Sequence, residues 1–195
     1  MVEAVPMESI RPWKIVGSRP LPDYRIFQTR TDRVVSPRTG AEHDVFIVTG
    51  SSWVNVLALT REQQIVLVQQ YRHGVREVMW EIPGGAIDGA ETPEVAGVRE
   101  LLEETGGVGG VARIIGKVRP NPAFQTNWCY TLLIENVEFK QPPRMEGMED
   151  IAMKLVAEDE FARMITDGRI PHALVVVADF WRRLWRAGAN PSFVV

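Results

Sequence analysis

Three glutamates crowd into one short stretch, and they are the side chains best suited to chemistry. Glu100, Glu103 and Glu104 lie within "RELLEETGG", residues 99–107. The glycine pair predicts the end of a helix, where neighbouring carboxylates repel each other and the negative end of the helix dipole disfavours them. A divalent cation bound among the three would offset that cost. The alternative is an ordinary solvated helix face.

The residue types around this cluster indicate which cation it would hold. A glycine-rich loop, "PGGAIDGAE", leads directly into the helix and adds the carboxylates of Asp88 and Glu91. Oxygen ligands select a hard ion, Mg²⁺ or Mn²⁺, rather than Zn²⁺. Magnesium leaves part of its coordination shell to water and substrate phosphates. The residues therefore predict a metal-dependent phosphate chemistry.

The helix that carries the glutamates has a clear start. Thr92 is a good N-cap, Pro93 suits the first helical position, and Glu94 favours the positive end of the dipole. The 3.6-residue period predicts that the three glutamates lie opposite the apolar side. That apolar side is expected to carry Val95, Val98, Leu101, Leu102 and Thr105.

The rest of the chain reads as strands with a few helices. Two hairpins are predicted, one from "YRIFQTRTDRVV" and "HDVFIVTG" and one from "WVNVLALT" and "QIVLVQQYR". Further strands are expected in "EVMWEI", "ARIIGKV", "WCYTLLIENV" and "IAMKLVA", and helices in "EDEFARMITDG" and "HALVVVADFWRRLWR". Strands that outnumber and mix irregularly with helices predict an α+β fold with a mixed sheet.

Composition excludes several classes of protein. The chain has 195 residues, 45% of them hydrophobic, which is typical of a compact domain with a sizeable core. The net charge of -3 and the lack of a basic block argue against a nucleic-acid partner. Cys129 is the single cysteine, so an intramolecular disulfide is excluded. Without a long apolar run we expect neither a secretory signal nor a membrane span, and hence a cytoplasmic protein.

Residues 85–107, "GAIDGAETPEVAGVRELLEETGG", resemble the Nudix box. That pattern is Gly, five residues, Glu, seven residues, then Arg-Glu-apolar-any-Glu-Glu-any-Gly and an apolar residue. Gly107 is the one departure, because the family has an aliphatic or aromatic residue there, and it puts local packing in question rather than chemistry. The matching positions are Gly85, Glu91, Arg99, Glu100, Leu101, Glu103, Glu104 and Gly106.

Further segments resemble the ADP-ribose pyrophosphatase and nucleotide-sugar hydrolase branch of that family. They are "QQYRHG", "WEIPGG", "RPNPAFQTN" and "GRIPHALVVVADF", and Pro122 lies sixteen residues beyond Gly106 as the branch pattern requires. The resemblance implies an α/β/α sandwich with a mixed sheet, the Nudix fold, over residues 51–195. It also implies an N-terminal antiparallel β arm over residues 1–50 that forms a domain-swapped homodimer.

The resemblance assigns roles to the box residues. It makes Glu100 and Glu104 the principal Mg²⁺ ligands, with Mn²⁺ as an alternative, and Glu103 a ligand or immediate support. The backbone carbonyl of Gly84 is expected to join them. Arg99 is expected to orient a glutamate such as Glu91 or Glu103 rather than to contact substrate.

The catalytic base is expected in the later acidic loop, "RMEGMEDI". Spacing in the family favours Glu149 as base or metal ligand, with Glu146 as the second choice. An ordinary solvated acidic loop is the alternative.

Substrate contacts are assigned less specifically. Arg72 is the best candidate to hold phosphate through bidentate hydrogen bonds, ahead of Arg119 and Arg144. Glu81 either contacts a ribose hydroxyl or shapes its loop. Gln125 either contacts the sugar or is simply a polar surface residue.

The implied activity is Mg²⁺-dependent hydrolysis of ADP-ribose or a related nucleoside diphosphate sugar to a nucleoside monophosphate and a sugar phosphate. Hydrolysis of GDP-mannose or of a dinucleoside polyphosphate is an alternative, as is a Nudix-fold sensor that binds a nucleotide sugar without cleaving it. The three intact glutamates favour the enzyme, because a sensor has no need of all of them.

Overall fold

A computed structural model describes residues 10–145, 147 and 149–189. Within these residues the chain forms two compact units, one of residues 10–50 with Asn121–Thr126, the other of residues 51–120 and 127–189. No helix in the described part of the chain is long and apolar enough to cross a membrane. The described elements, in chain order, are β1 (Lys14–Asp23), β2 (Phe27–Val35), β3 (Glu42–Gly50), β4 (Trp53–Thr60), β5 (Ile65–Arg72), β6 (Glu77–Glu81), β7 (Gly84–Ala86), α1 (Pro93–Thr105), β8 (Gly107–Val108), β9 (Arg113–Val118), β10 (Cys129–Phe139), β11 (Ala152–Val156), α2 (Glu158–Thr166) and α3 (Ala173–Arg186).

The first unit is a three-stranded antiparallel sheet in the order β1-β2-β3. The hairpin of β2 and β3 was predicted from the sequence and is confirmed, with Phe27 opposite Gly50 and Val35 opposite Glu42. β1 was not predicted, because its sequence "KIVGSRPLPD" contains two prolines and a glycine. Prolines are tolerated there because β1 lies at the edge of the sheet, where the missing N–H costs no ladder bond. A short parallel bridge joins Val48 to Gln125 within this unit.

The second unit is built on a mixed sheet, as predicted. Its main path runs β11-β5-β4-β10-β8, with β6 beside β5, β7 beside β4 and β9 beside β10. β4 and β10 are parallel, with Cys129 opposite Trp53. β5 pairs antiparallel with β4, β6 and β11. The predicted α+β class is confirmed.

Helices cover both faces of this sheet and give the predicted sandwich. Successive residues of β4 point to opposite faces. On one face Val54, Val56 and Ala58 pack in a cluster with Ala96 and Leu101 of α1. On the other face the cluster contains Leu57 and Leu59 of β4, Phe161 and Met164 of α2, and Val175 and Ala178 of α3.

α1 begins as predicted but presents a different face to the sheet. Thr92 Oγ1 accepts a hydrogen bond from Val95 N, which confirms the N-cap. The prediction that Val95 and Val98 are buried is wrong, because they are 54% and 47% exposed. A Cβ at Gly97 would collide with the Leu132 side chain, so the helix packs tightly against the sheet at Gly97. The glutamates therefore do not all lie opposite the packed side: the inner face carries Ala96, Gly97, Glu100, Leu101, Glu104 and Thr105.

The glycine pair ends α1 in two distinct ways. Gly106 has φ of 70° and its N–H bonds to Leu102 O, the left-handed cap that glycine favours. Gly107 already belongs to the buried strand β8. A Cβ at Gly107 would lie 2.8 Å from Thr105 Oγ1 and 3.0 Å from Val137 Cγ1. Neighbouring side chains thus fill the space of the larger residue that the Nudix pattern has there.

Candidate active site

A polar cavity of about 340 Å³ opens in the second unit where α1 meets the sheet. It brings together residues far apart in the chain, from the end of β5, from β7 and the loop after it, from α1 and from the loop before β11. Its lining is Gln70, Arg72, Gly84, Gly85, Ala86, Asp88, Arg99, Glu100, Glu103, Glu104 and Glu149.

Arg99 links three glutamates. Its Nε and Nη2 donate to the two oxygens of Glu91 at 3.1 and 3.0 Å. Its Nη1 donates to Glu100 Oε1 at 2.9 Å and to Glu103 Oε2 at 3.1 Å, and Nη2 also donates to the carbonyl of Ala86 at 3.0 Å. These bonds raise the pKa of the guanidinium above its ordinary value. Arg99 therefore holds the carboxylates in place, which is the kind of contact expected for it from the sequence.

Glu104 has a different environment from the other glutamates. Its Oε2 accepts a hydrogen bond from the backbone N–H of Gly84 at 3.1 Å, and the residue is 4% exposed. Burial raises its pKa to about 8, and the negative charges of Glu100 and Glu149 act in the same direction. Burial also raises the pKa of Glu100, although its bond to Arg99 opposes the change. Two buried carboxyls thus share a cavity that disfavours their charge.

Two glycines of β7 allow close approaches, one to a glutamate and one to β4. A Cβ at Gly85 would collide with the carboxylate of Glu100, and a Cβ at Gly84 would collide with the carbonyl oxygen of Val54. β7 pairs with β4, with Gly84 opposite Asn55. β7 also contacts α1. Gly85 therefore lets the carboxyl of Glu100 approach β7, and Gly84 lets β7 approach β4.

Glu149 lies in the same cavity, although it follows the helix by a long stretch of chain. Its charge raises the pKa of both Glu100 and Glu104. The structure thus brings one of the two expected bases to the box glutamates. Glu146, the other one, lies outside the described residues.

Arg72, expected to hold phosphate, contacts Glu81, which was expected either to contact a ribose hydroxyl or to shape its loop. Arg72 Nε and Nη2 donate to the two oxygens of Glu81 at 2.6 Å each. The Arg72 side chain is 43% exposed and lines the cavity, whereas the Glu81 side chain is 4% exposed. Arg72 is thus placed to reach a ligand, and Glu81 is placed behind it.

The remaining sequence candidates lie elsewhere. Gln125 belongs to the first unit, where its backbone N donates to Asn121 O at 2.9 Å. Arg119 stacks on the ring of Trp128, with its guanidinium carbon 3.6 Å from the ring centroid. The backbone N of Arg144 donates to the carbonyl of Glu103 at 2.7 Å, which ties the loop after β10 to α1.

Sequence reasoning missed Gln70 as a cavity residue. It lies two positions before Arg72 on β5 and therefore on the same face of the strand. That spacing was the available signal. Its amide adds a neutral hydrogen-bond donor and acceptor to an otherwise charged lining.

Residues 52–176 match the model of the NUDIX domain family, so the chain belongs to this family and is a hydrolase. Among curated proteins it is 39% identical over 164 residues to "Methanol dehydrogenase activator" of Bacillus methanolicus, covering 84% of this chain and 88% of that one. It is 30% identical over 138 residues to "ADP-ribose pyrophosphatase" of Bacillus subtilis (strain 168), covering 66% and 72%. Among solved structures, the fold matches "Crystal structure of ADP compounds hydrolase" with a TM-score of 0.81 and 19% identity, over 93% of this chain and 98% of that one.

Proposed function

We propose that this Nudix hydrolase is a Mg²⁺-dependent pyrophosphohydrolase of ADP-ribose or a related nucleoside diphosphate sugar, releasing a nucleoside monophosphate and a sugar phosphate. The observation that carries the proposal is the pair of buried carboxyls, Glu100 and Glu104, in one cavity with Arg72. The relative from Bacillus subtilis, named an ADP-ribose pyrophosphatase, supports the choice of substrate.

The cavity fits a divalent cation by its chemistry. Its acidic lining offers oxygen donors, which Mg²⁺ and Mn²⁺ prefer. A bound cation would also stabilise the negative charge that burial disfavours on Glu104. Among the described residues, no three His, Cys, Asp or Glu side chains are close enough to hold a metal by themselves. Mg²⁺ takes few protein ligands and completes its shell with water and phosphate oxygens.

Glu100 and Glu104 would hold the cation, with Glu103 as a further ligand or support and the carbonyl of Gly84 completing the set. When bound, Mg²⁺ neutralises charge on the pyrophosphate and lowers the pKa of a coordinated water. The protein's own part is to fix these oxygens. Arg99 does so for Glu100 and Glu103 through the bonds described above.

The remaining cavity residues would handle the substrate and the proton. Arg72 is half-exposed in the lining and would bind a phosphate oxygen through its charged nitrogens. Glu149 would accept the proton of the attacking water as the new P–O bond forms. The bond that breaks is the P–O bond to the bridging oxygen. The second phosphate leaves with that oxygen and with the nucleoside or sugar attached to it.

A substrate panel tests the proposal. Wild-type protein with Mg²⁺ is incubated with ADP-ribose, GDP-mannose, a UDP-sugar and a dinucleoside polyphosphate, and products are separated by ion-exchange chromatography. We expect AMP and ribose phosphate from ADP-ribose at the highest kcat/KM. Tight binding of one of these ligands without any cleavage would support the sensor alternative instead.

A second candidate function is activation of a dehydrogenase. The observation that favours it is the 39% identity to a protein named methanol dehydrogenase activator, over most of both chains. The test is the rate of purified methanol dehydrogenase of Bacillus methanolicus with and without this protein and Mg²⁺. A rate increase that requires Glu104 would show that the same carboxyls serve both functions.

We also infer a cytoplasmic homodimer that forms by exchange of the N-terminal arm, residues 1–50, around the hydrolase domain, residues 51–195. In the arm, Trp13, just before β1, and Ile15 and Phe46 in the sheet are 48%, 59% and 51% exposed, and such apolar side chains are suited to an interface. Light scattering of the full chain tests this inference. A dimer that becomes a monomer in Phe46→Asp is the expected result, and a monomeric wild type would contradict it.

A further inference from the structure

The bidentate pair of Arg72 and Glu81 joins two strand ends beside the cavity. Arg72 ends β5 and Glu81 ends β6. Both carboxylate oxygens of Glu81 accept from Arg72 at 2.6 Å, and its side chain is 4% exposed. A ribose hydroxyl has no access to a carboxylate that is this deeply buried and already paired. Glu81 is therefore not placed to contact substrate directly.

The pairing fixes the direction of the Arg72 guanidinium. A guanidinium is a planar fork, so two parallel bonds to one carboxylate determine its plane. Without them, a side chain that is 43% exposed would sample several rotamers. The hydrogen bonds to Glu81 are also the largest cause of the raised pKa of Arg72. Burial lowers this pKa, and the negative charges of Glu81 and Glu104 raise it further.

His172 lies near the carboxylate of Glu81. It is the N-cap of α3, and its Nδ1 accepts a hydrogen bond from Leu174 N at 3.2 Å. Because Nδ1 is an acceptor, the neutral imidazole carries its proton on Nε2. That Nε2 lies 3.8 Å from Glu81 Oε2. This distance is too long for a hydrogen bond but short enough for attraction between the N–H dipole and the negative carboxylate.

We propose that Glu81 and His172 are positioning residues that act through Arg72, so that the N-cap residue of α3 contributes to the affinity of the cavity for a pyrophosphate. The proposal rests on the hydrolase function proposed above, in which Arg72 binds phosphate. Two features support it: the burial of Glu81 in contact with Arg72 and His172, and the position of Arg72 in the cavity with Glu104 and Gly84.

The test is a double-mutant cycle read by binding as well as by kinetics. Affinity for α,β-methylene ADP with Mg²⁺ is measured by calorimetry, and KM and kcat are measured with ADP-ribose. We expect Arg72→Lys and Glu81→Gln each to raise Kd and KM about tenfold, the loss typical of a charge-assisted bidentate contact, with kcat within about twofold. The Kd of the double variant should exceed that of the weaker-binding single variant by no more than about twofold, because both changes disrupt the same bidentate contact.

His172 has a matched pair of variants. His172→Asn keeps an N-cap acceptor but is too short to reach Glu81, whereas His172→Ala loses both contacts. Both should raise Kd about twofold to threefold, as expected for a partly exposed electrostatic contact, and only His172→Ala should lower Tm. In a Glu81→Gln background, His172→Asn should have no effect on Kd. If Glu81→Gln fails to fold, the Kd of His172→Asn alone tests the positioning role: an increase supports it and an unchanged Kd contradicts it.

The outcomes separate this proposal from the function on which it rests. Wild-type cleavage of ADP-ribose with unchanged Kd in Glu81→Gln and His172→Asn would overturn only the positioning role. Full additivity of the Arg72 and Glu81 changes would overturn it as well. A wild-type protein that neither binds α,β-methylene ADP nor cleaves any nucleoside diphosphate would overturn both.

Discussion

Glu104 and Gly84 are joined by a hydrogen bond of 3.1 Å from the backbone N–H of Gly84 to Oε2 of Glu104. The bond connects the last turn of α1 to the first residue of β7. It stabilises the ionised carboxyl, but burial has the larger and opposite effect, so the pKa of Glu104 is about 8. In the metal-free protein Glu104 is therefore mostly protonated at neutral pH, and a bound cation would favour its ionised form.

The raised pKa of Glu104 predicts how stability of the metal-free protein depends on pH. The ordinary pKa is 4.5 and the folded value is about 8, so between these values the folded state holds the proton and the unfolded state does not. The contribution of Glu104 to the free energy of unfolding therefore falls as pH rises through this window, by at most about 1.4 kcal/mol per pH unit.

Chemical denaturation with EDTA at several pH values measures this effect against Glu104→Gln, which lacks the titrating group. We expect the variant to gain stability relative to the wild type as pH increases from about 5 to about 8. A difference between the two proteins that does not change with pH would show that Glu104 is not buried in its neutral form.

Cation binding should release a proton near neutral pH. Coordination requires the carboxylate, and Glu104 with a pKa of about 8 is mostly protonated at neutral pH. Calorimetry of Mg²⁺ binding in buffers of different ionisation enthalpy counts the released protons. We expect close to one proton at about pH 7, fewer as pH passes about 8, and fewer in Glu104→Gln at both values. Equal release by the wild type and the variant would remove Glu104 from the ligand set.

Gly85→Ala tests the space that β7 leaves for Glu100. The added Cβ would collide with the Glu100 carboxylate, so the carboxylate must move and activity should fall at least about tenfold. Gly74→Ala is the matched control, since a Cβ there meets nothing within 4 Å. Both variants are assayed with ADP-ribose and Mg²⁺ and their folding is checked by circular dichroism. Equal activities of the two variants would contradict the close approach of Gly85 and Glu100.

Arg182→Met tests an ion pair that supports α3 away from the cavity. Arg182 is 1% exposed and donates to Asp179 at 2.7 Å and to Glu158 at 2.6 Å. Its removal leaves Asp179 buried with less compensation, so unfolding free energy should fall by about 3–5 kcal/mol, measured by urea denaturation. Arg183→Met, at a side chain 58% exposed, should cost about 1 kcal/mol or less. Similar losses in the two variants would show that burial of Arg182 contributes nothing.

The sequence predicted the elements of the second unit well because they have strong local signals. Thr92 and Pro93 define the start of α1, and Gly106 defines its end. The valine-rich sequences of β4 and β5 likewise predict buried strands. Box spacing then located the carboxylates without knowledge of the fold.

What could not be predicted depends on contacts between elements. Val95 and Val98 are apolar at helical spacing, yet α1 packs on the sheet through the face that carries Gly97, Glu100 and Glu104. The register of β5 and β6 places Glu77 opposite Arg72 and Glu81 opposite Val68, so the pairing of Arg72 with Glu81 is a diagonal contact that no local pattern encodes. Glycine at position 107 likewise reflects the packing of Thr105 and Val137, which only the folded structure shows.

The most direct test of the central claim is the hydrolysis of ADP-ribose by the wild type and Glu104→Gln with Mg²⁺, followed by ³¹P NMR. The account predicts AMP and ribose phosphate from the wild type and a rate lower by about 100-fold or more in the variant, because metal-assisted charge stabilisation is worth several kcal/mol. It also predicts that the variant stays folded, with a Tm no lower than that of the metal-free wild type. Absence of both products from the wild type, or an unchanged rate in the folded variant, would contradict it.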